Sequence, residues 1–416
     1  MKAKLKLENK INIAILLEKL NEISTLNENN TVAFDAFEYE KLEWVFLALL
    51  EFQGVYSIEA KKNILQNTFR QLVLKKRFDK EIFYEILSNQ IQKHNKQPEK
   101  HYYLLTSLSV KELPIRKLTV DNSQIIITGK NFPKKFRSHR NNIRKTHNDN
   151  DNYIKIVVAT KGRDFKDAYE KAYRSLEVFR ALLCLILNSN LELRFGSHSA
   201  NPINKVRQGE FSTLHLENGF CADSSNYWFE SNYKVVKTLE LNAEKRIKLK
   251  TNIKWLIKRY NLCIEKHKNT LSKALNIYVS AFDESNKYIC FLGAWTALET
   301  ILKADQNELL IKRCTAMYSE EHKQVQKQIL EGLRIYRNEF VHEGNNGLDP
   351  FVACFFIQEF IYNLIIRFNF KFAGFFNTID EATMFLDSYN FNLKELKIRK
   401  KNIDKAINLK EKNMKS

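Results

Sequence analysis

Arg337-Asn338-Glu339-Phe340-Val341-His342 runs through Glu343 into Gly344-Asn345-Asn346-Gly347 and then Asp349-Pro350-Phe351. This stretch decides how the C-terminal third is read. Apolar residues upstream recur at helical spacing, so a helix is expected from about Gln324 to Glu343, stopped by Gly344 and the turn-forming Asn-Asn-Gly. Asp349 is a natural N-cap and Pro350 suits the first turn of the next helix, which continues through Phe355, Phe360 and Leu364 to about Phe368. A third helix precedes them, from about Lys287 to Lys303, with Tyr288, Phe291, Leu292, Trp295, Leu298 and Leu302 on one face.

Working outward, helical patterning extends back to about Ala243 and reappears in the first hundred residues, where Phe37, Tyr39, Leu42, Val45, Phe46, Leu49 and Leu50 and later Ile58, Ile64, Phe69, Leu72 and Val73 recur at helical spacing. Between these regions the texture changes. Ile115–Val120 and Gln124–Thr128, separated by Asp121-Asn122-Ser123, read as a hairpin. Tyr153–Val158 reads as a strand leading into a long helix over about Asp164–Leu187. Further strands are expected at Leu191–Phe195, Phe211–Leu216 and Tyr233–Leu241. The expected fold is α+β and predominantly α-helical. It comprises a helical region over 1–100, a mixed α/β region over 101–242, a helical bundle over 243–390 and a basic tail over 391–416 that reads as an exposed helix.

Composition narrows the function classes. The 416 residues are 44% hydrophobic and 28% charged, with only 11 Gly and 5 Pro, values that fit a folded globular chain rather than a disordered one. The formal net charge of +19 favours encounter with polyanions, nucleic acid first, although a Lys-, Asn- and Ile-rich composition also inflates such a surplus. The six cysteines are widely spaced, without a C-x-x-C pair. That usage fits a reducing, cytoplasmic setting and argues against disulfides or a Cys-based zinc site. The N-terminus lacks a signal-peptide core, and the apolar run Phe351–Phe370 is interrupted by Gln358, Glu359, Asn363 and Arg367, so it reads as a buried helix and no membrane partner is expected. No phosphate-binding Gly loop or nucleophile elbow is present.

The chemistry-bearing residues lie at the end of the second helix. Exposed carbonyls and the helix dipole favour an imidazolium at His342, and Arg337 supplies a fixed fork of donors suited to phosphate. RNA scission through the 2′-hydroxyl needs a proton carrier and a cation for the crowded phosphorane, and needs no metal. Positions five apart differ by about 140° around a helix. One copy therefore aims the two side chains apart unless the helix end unwinds, and it supplies a single titrating group. Two copies across a two-fold axis would complete a site, so a homodimer is expected.

Arg, four to six residues and then His, resembles the signature of the HEPN ribonucleases. Phe291-Leu292-Gly293-Ala294-Trp295-Thr296-Ala297-Leu298-Glu299 is similar to the matching helix of the Apea-like HEPN group. The resemblance covers about Ser285 to Phe370. It implies a helical bundle that dimerises through its motif helices and cleaves RNA without cofactor or metal, often as a toxin in bacterial anti-phage defence. Carried over by position, Arg337 and His342 are the catalytic pair, Asn338 the polar companion and Glu299 an orienting group. The resemblance also leaves open a non-catalytic dimerisation or RNA- or nucleotide-binding module, including the partner of a nucleotidyltransferase. It assigns residues 1–242 to sensing or target recognition by analogy alone.

Spacing by itself discriminates poorly, because Arg140 to His147 also fits. That pair lies in a polar run with no apolar helix framing it. The same segment holds Lys134, Lys135, Arg137, Arg140, Arg144 and Lys145 with Phe132 and Phe136 interleaved. This composition suits single-stranded RNA, although such charged runs are often only solvated. His139 and His147 lack the Cys or acidic companions of a metal site. Tyr227-Trp228 beside Phe229 reads as core or interface.

Overall fold

The computed structural model describes residues 3–5, 12–52, 56–143, 150–188, 202–223, 228–231, 233–304, 306–343 and 348–413, and the side chains of all of these but 3–5, 143, 342, 343 and 413. The fold is α+β and predominantly helical. Two cores organise it. The first belongs to α1 (Ile13–Glu22), α2 (Ala36–Leu49), α3 (Ile58–Lys75) and α4 (Lys80–Lys96), whose apolar stripes meet around Leu17, Phe46, Phe69 and Phe83. Two short antiparallel pairs trim this unit, β1 (Ala3–Leu5) with β4 (Leu50–Phe52) and β2 (Ser24–Leu26) with β3 (Val32–Phe34).

The second core is built on an antiparallel sheet, in the order β10-β9-β5-β8-β7-β6. Its central strand, β5 (Lys100–Leu108), had no counterpart among the expected strands. β5 pairs with β8 (Ile154–Gly162) and β9 (Phe211–Leu216). The hairpin of β6 (Lys117–Val120) and β7 (Ser123–Gly129) turns through Asp121 and Asn122, both at positive φ, as a two-residue primed turn requires. A two-residue strand, β10 (Trp228–Phe229), closes the far edge. Two strand expectations fare differently. Residues 233–241 run as an irregular segment tied just beyond the end of β5 by a parallel Val110–Leu239 bridge, with the Leu239 amide donating to the Ser109 carbonyl and the Lys111 amide to the Leu239 carbonyl. Leu191–Phe195 lies outside the described residues.

Each face of the sheet is covered by a helix. On one side lies α6 (Phe165–Leu187), buried almost all round from Ser175 to Leu185, because the sheet packs on one flank and α8 (Glu265–Asp283) on the other. On the opposite side α5 (Lys134–Ile143) sets Phe136 against Leu105 and Val157. Helices α7 (Ala243–Leu262), α9 (Lys287–Leu302), α10 (Asn307–Thr315), α11 (Glu320–Glu343), α12 (Pro350–Tyr362), a π-helical continuation (Asn363–Asn369) and α13 (Ile379–Tyr389) complete the bundle. The short α10 stands between the first two of the three helices read as consecutive. Gly293 lets α9 lie against α8, since a Cβ there would stand 2.7 Å from that of Ala281. The tail forms α14 (Leu393–Asn413), largely exposed.

The second core runs without a break from Tyr102 to Leu386, across the boundary placed at 242. A polar seam reinforces it. Arg180, inside α6, donates to Glu177 at 2.5 Å and to Asp283 at 2.6 Å. Asn204 donates to Asp283 and to the Val279 carbonyl, Asn188 donates to Asn204, and Gln358 of α12 donates to the Asn188 carbonyl at 3.1 Å. These buried charges are tolerable because each is paired and hydrogen-bonded.

Candidate functional site

The last turns of α11 are held by aromatic contacts to the first turns of α9. Tyr336 meets Phe291 edge-on at 5.1 Å, and Phe340 stacks on Tyr288 at 4.6 Å with 7° between planes. Leu330, Leu333 and Tyr336 form the buried stripe, which leaves Arg337 and Asn338 half-buried at its flank. The Arg337 guanidinium donates to the Asn338 side-chain oxygen at 3.2 Å, and among the described residues it forms no ion pair. α11 stays helical through Glu343, so the backbone positions of Arg337 and His342 keep the separation of about 140° and lie about 7.5 Å apart along the axis. The His342 side chain and Gly344–Gly347 lie outside the described residues. Beyond them, Asp349 caps α12 by accepting from the Phe351 amide at 2.9 Å, with Pro350 in the first turn, as expected.

Glu299 is set apart from this group. α9 and α11 run antiparallel where they touch, and Glu299 lies eight to eleven residues beyond Phe291 and Tyr288, roughly 12–16 Å along the helix. Its carboxylate accepts from the indole N–H of buried Trp295 at 2.9 Å and so satisfies that donor, and among the described residues it forms no hydrogen bond to Arg337. Sequence reasoning missed Lys287 as a polar neighbour. It is 8% exposed at the start of α9, donates to the carbonyls of Glu284 and Ser285, and has its pKa lowered by burial. Tyr288 was legible only as an apolar-face residue. A Lys at a helix start, one residue before an aromatic, is the signal that was available.

The basic segment divides. Lys134, Lys135 and Arg137 are exposed, and Arg144, Lys145 and His147 lie outside the described residues. Arg140 is no surface residue: it is 1% exposed and donates to the carbonyls of Leu105 and Phe211 and to the Thr213 hydroxyl. Its guanidinium also stands over the rings of Phe132 and Phe211. Phe132 and Phe136 are buried against the sheet and unavailable for stacking on bases. The segment is thus largely a helix framed by apolar residues, contrary to its polar appearance. Packing of i, i+4 and i+8 residues on the sheet outweighs its low helix propensity.

Thr213 connects Arg140 to His215. The Gly219 carbonyl accepts from His215 Nδ1 at 2.9 Å, which fixes the proton on that nitrogen, and the Thr213 hydroxyl donates to Nε2 at 2.9 Å. Burial, with the Arg140 charge nearby, pushes the His215 pKa down to about 4. Cys221 lies 3.8 Å from the protonated nitrogen, so His215 is no base for that thiol. Gly219 sits at φ +94°, where a Cβ would stand 2.1 Å from the Lys135 carbonyl, so a side chain is excluded as this turn crosses α5.

Among the described residues no group of three His, Cys, Asp or Glu side chains could hold a metal ion, and the six cysteines are free thiols. One described helix, Pro350–Asn369, is long and apolar enough to cross a membrane, and half of its most apolar stretch is buried inside the fold. Trp228 stacks on Tyr169 at 3.5 Å, a packing role; Tyr227 lies outside the described residues.

Compared with protein-family models, with curated proteins and with solved structures, the chain finds no match.

Proposed function

We propose that the chain is a metal-independent endoribonuclease of HEPN type, acting as a homodimer in the cytoplasm, with anti-phage defence as its setting. The observation that carries this reading is Arg337: a half-buried cation, steadied by Asn338, with no ion-pair partner among the described residues, five positions before a histidine at a helix end. A guanidinium with no carboxylate to neutralise it is poised for an external anion, and phosphate matches its fork. The 2′-oxygen of RNA attacks the adjacent phosphorus, its proton passing to a neutral His342. The 5′-oxygen leaves with a proton from the second copy's imidazolium, giving 2′,3′-cyclic phosphate and 5′-hydroxyl ends. Arg337 stabilises the added negative charge on the phosphorane.

The dimer draws support from Ile289, Ile335, Val341, Leu348 and Phe356, which are 42–61% exposed on or beside the helices that frame the motif. Lone exposed apolar residues are ordinary, but five around one polar pair suit coverage by a second copy. The test is sequencing of RNA ends after controlled expression of the wild type, Arg337→Ala and His342→Ala. New cyclic-phosphate ends in the wild type alone are expected. Equal cleavage by all three would remove the catalytic assignment, and a wild type that dimerises yet leaves RNA intact would reduce the bundle to a dimerisation module.

A further inference from the structure

Away from the motif, a half-open cleft of about 460 Å³ lies between the end of α6, the first turns of α7 and the π-helical continuation of α12. Its volume falls in the range of small-molecule sites. The floor is apolar, with Leu187, Leu241, Leu249 and Leu256, and two aromatic rings border it. Trp255 is 42% exposed, backed edge-on by Phe370 at 6.4 Å, and Tyr362 stands on the opposite wall. The walls are braced. Arg259 of α7 donates to the carbonyls of Phe370 and Lys371, and Asn369 repairs the wide π turn by donating to the Leu364 carbonyl. Such π segments are rare and frequent at functional sites.

Charge gives the cleft its direction. Lys205, Lys245 and Lys248 stand around it, and among the described residues none of the three forms an ion pair. The one carboxylate among its described lining residues, Glu240, is engaged by Lys111 at 3.2 Å. A larger cleft of about 760 Å³ at the end of the sheet differs in its lining, where three carboxylates, Glu99, Asp121 and Glu265, stand among the cations: Arg163 and Lys171 are paired with Glu99 and Lys268 with Glu265, while Lys161 and Arg174 form no ion pair among the described residues. Three uncompensated ammonium groups over an apolar, ring-bordered floor call for one kind of ligand.

We propose that the α6/α7 cleft binds a small amphipathic organic anion, its apolar body on Trp255 and the leucines and its carboxylate or phosphate among the three lysines. The site is independent of Arg337 and of any cleavage activity. Titration calorimetry on the full chain, with decanoate and 1-naphthyl phosphate as probes, tests it and separates an acyl from an aryl body. At least one probe should bind about tenfold more tightly than acetate or inorganic phosphate, which carry the charge without the body. Lys245→Ala combined with Lys248→Ala, both fully at the surface, should weaken that binding about tenfold while leaving the melting temperature unchanged, and Trp255→Ala should weaken it comparably. Probes that bind no better than acetate or phosphate, or a probe affinity untouched by the lysine pair, would overturn the proposal.

Discussion

The ends of α5 and α11 each carry an arginine that precedes a histidine by a HEPN-like interval, and the two arginines meet opposite surroundings. Arg140 is enclosed, its donors spent on two carbonyls and a hydroxyl and its charge lying over two rings. Arg337 touches one neighbouring amide oxygen and is otherwise uncommitted among the described residues. The difference teaches that a pattern of residue types does not specify chemistry. What matters is whether the fold consumes the donor groups or leaves them for a ligand.

The sharpest way to break this contrast is at Arg337. Arg337→Ala should lower RNA cleavage about 10³-fold, a transition-state loss of roughly 4 kcal/mol, while changing unfolding free energy little. A loss of stability in place of activity would place Arg337 with Arg140. Arg140→Met should do the reverse, costing about 3 kcal/mol of stability by leaving buried acceptors unmet, read by urea unfolding. If Arg140→Met instead left stability intact and weakened RNA binding, the enclosed arginine would be a surface contact after all.

His215 sharpens the enclosed side. Its folded pKa of about 4 lies below the ordinary 6.5, so the neutral ring is the form the fold holds. The stability it contributes is fully present above pH 6.5 and is lost as pH falls from 6.5 towards 4, about 3 kcal/mol in all. His215→Gln, which cannot take the proton, should flatten unfolding free energy across that window; an unchanged slope would assign it to other groups. The smallest effect belongs to Glu299→Gln. The amide oxygen still accepts from Trp295, so cleavage should change by less than about threefold and stability by less than about 0.5 kcal/mol. A loss comparable with that of Arg337→Ala would restore Glu299 to the site.

Much of the motif's frame could be read in the residues. Asp349 caps α12 and Asp121-Asn122 turns the hairpin, each a local choice written in a few neighbouring side chains, and α9 ends beside Lys303, where its apolar stripe stops. What escaped was set by distant partners. β5 reads Lys-His-Tyr-Tyr-Leu-Leu-Thr-Ser-Leu and is buried on both faces, so it lacks the alternation that announces a strand. The stripe of α5 includes an arginine, whose place in the interior depends on β5 and β9 residues far along the chain. The bond from Trp295 to Glu299, one turn away, was not legible either, a contact that spacing permits but does not demand.

The seam of Arg180, Asp283, Asn204, Asn188 and Gln358 has a consequence for how this chain can be cut or inherited. A fragment beginning at residue 243 would carry Asp283 without Arg180 and Asn204, and Gln358 without the Asn188 carbonyl that accepts from it, leaving Gln358 only the bond from Tyr278. It would also bare the flank of α8 that α6 covers. The helical bundle is therefore no detachable cassette. Grafting it onto another protein would require the sheet to travel with it, whereas the N-terminal four-helix unit, with its own core, is the natural place for exchange.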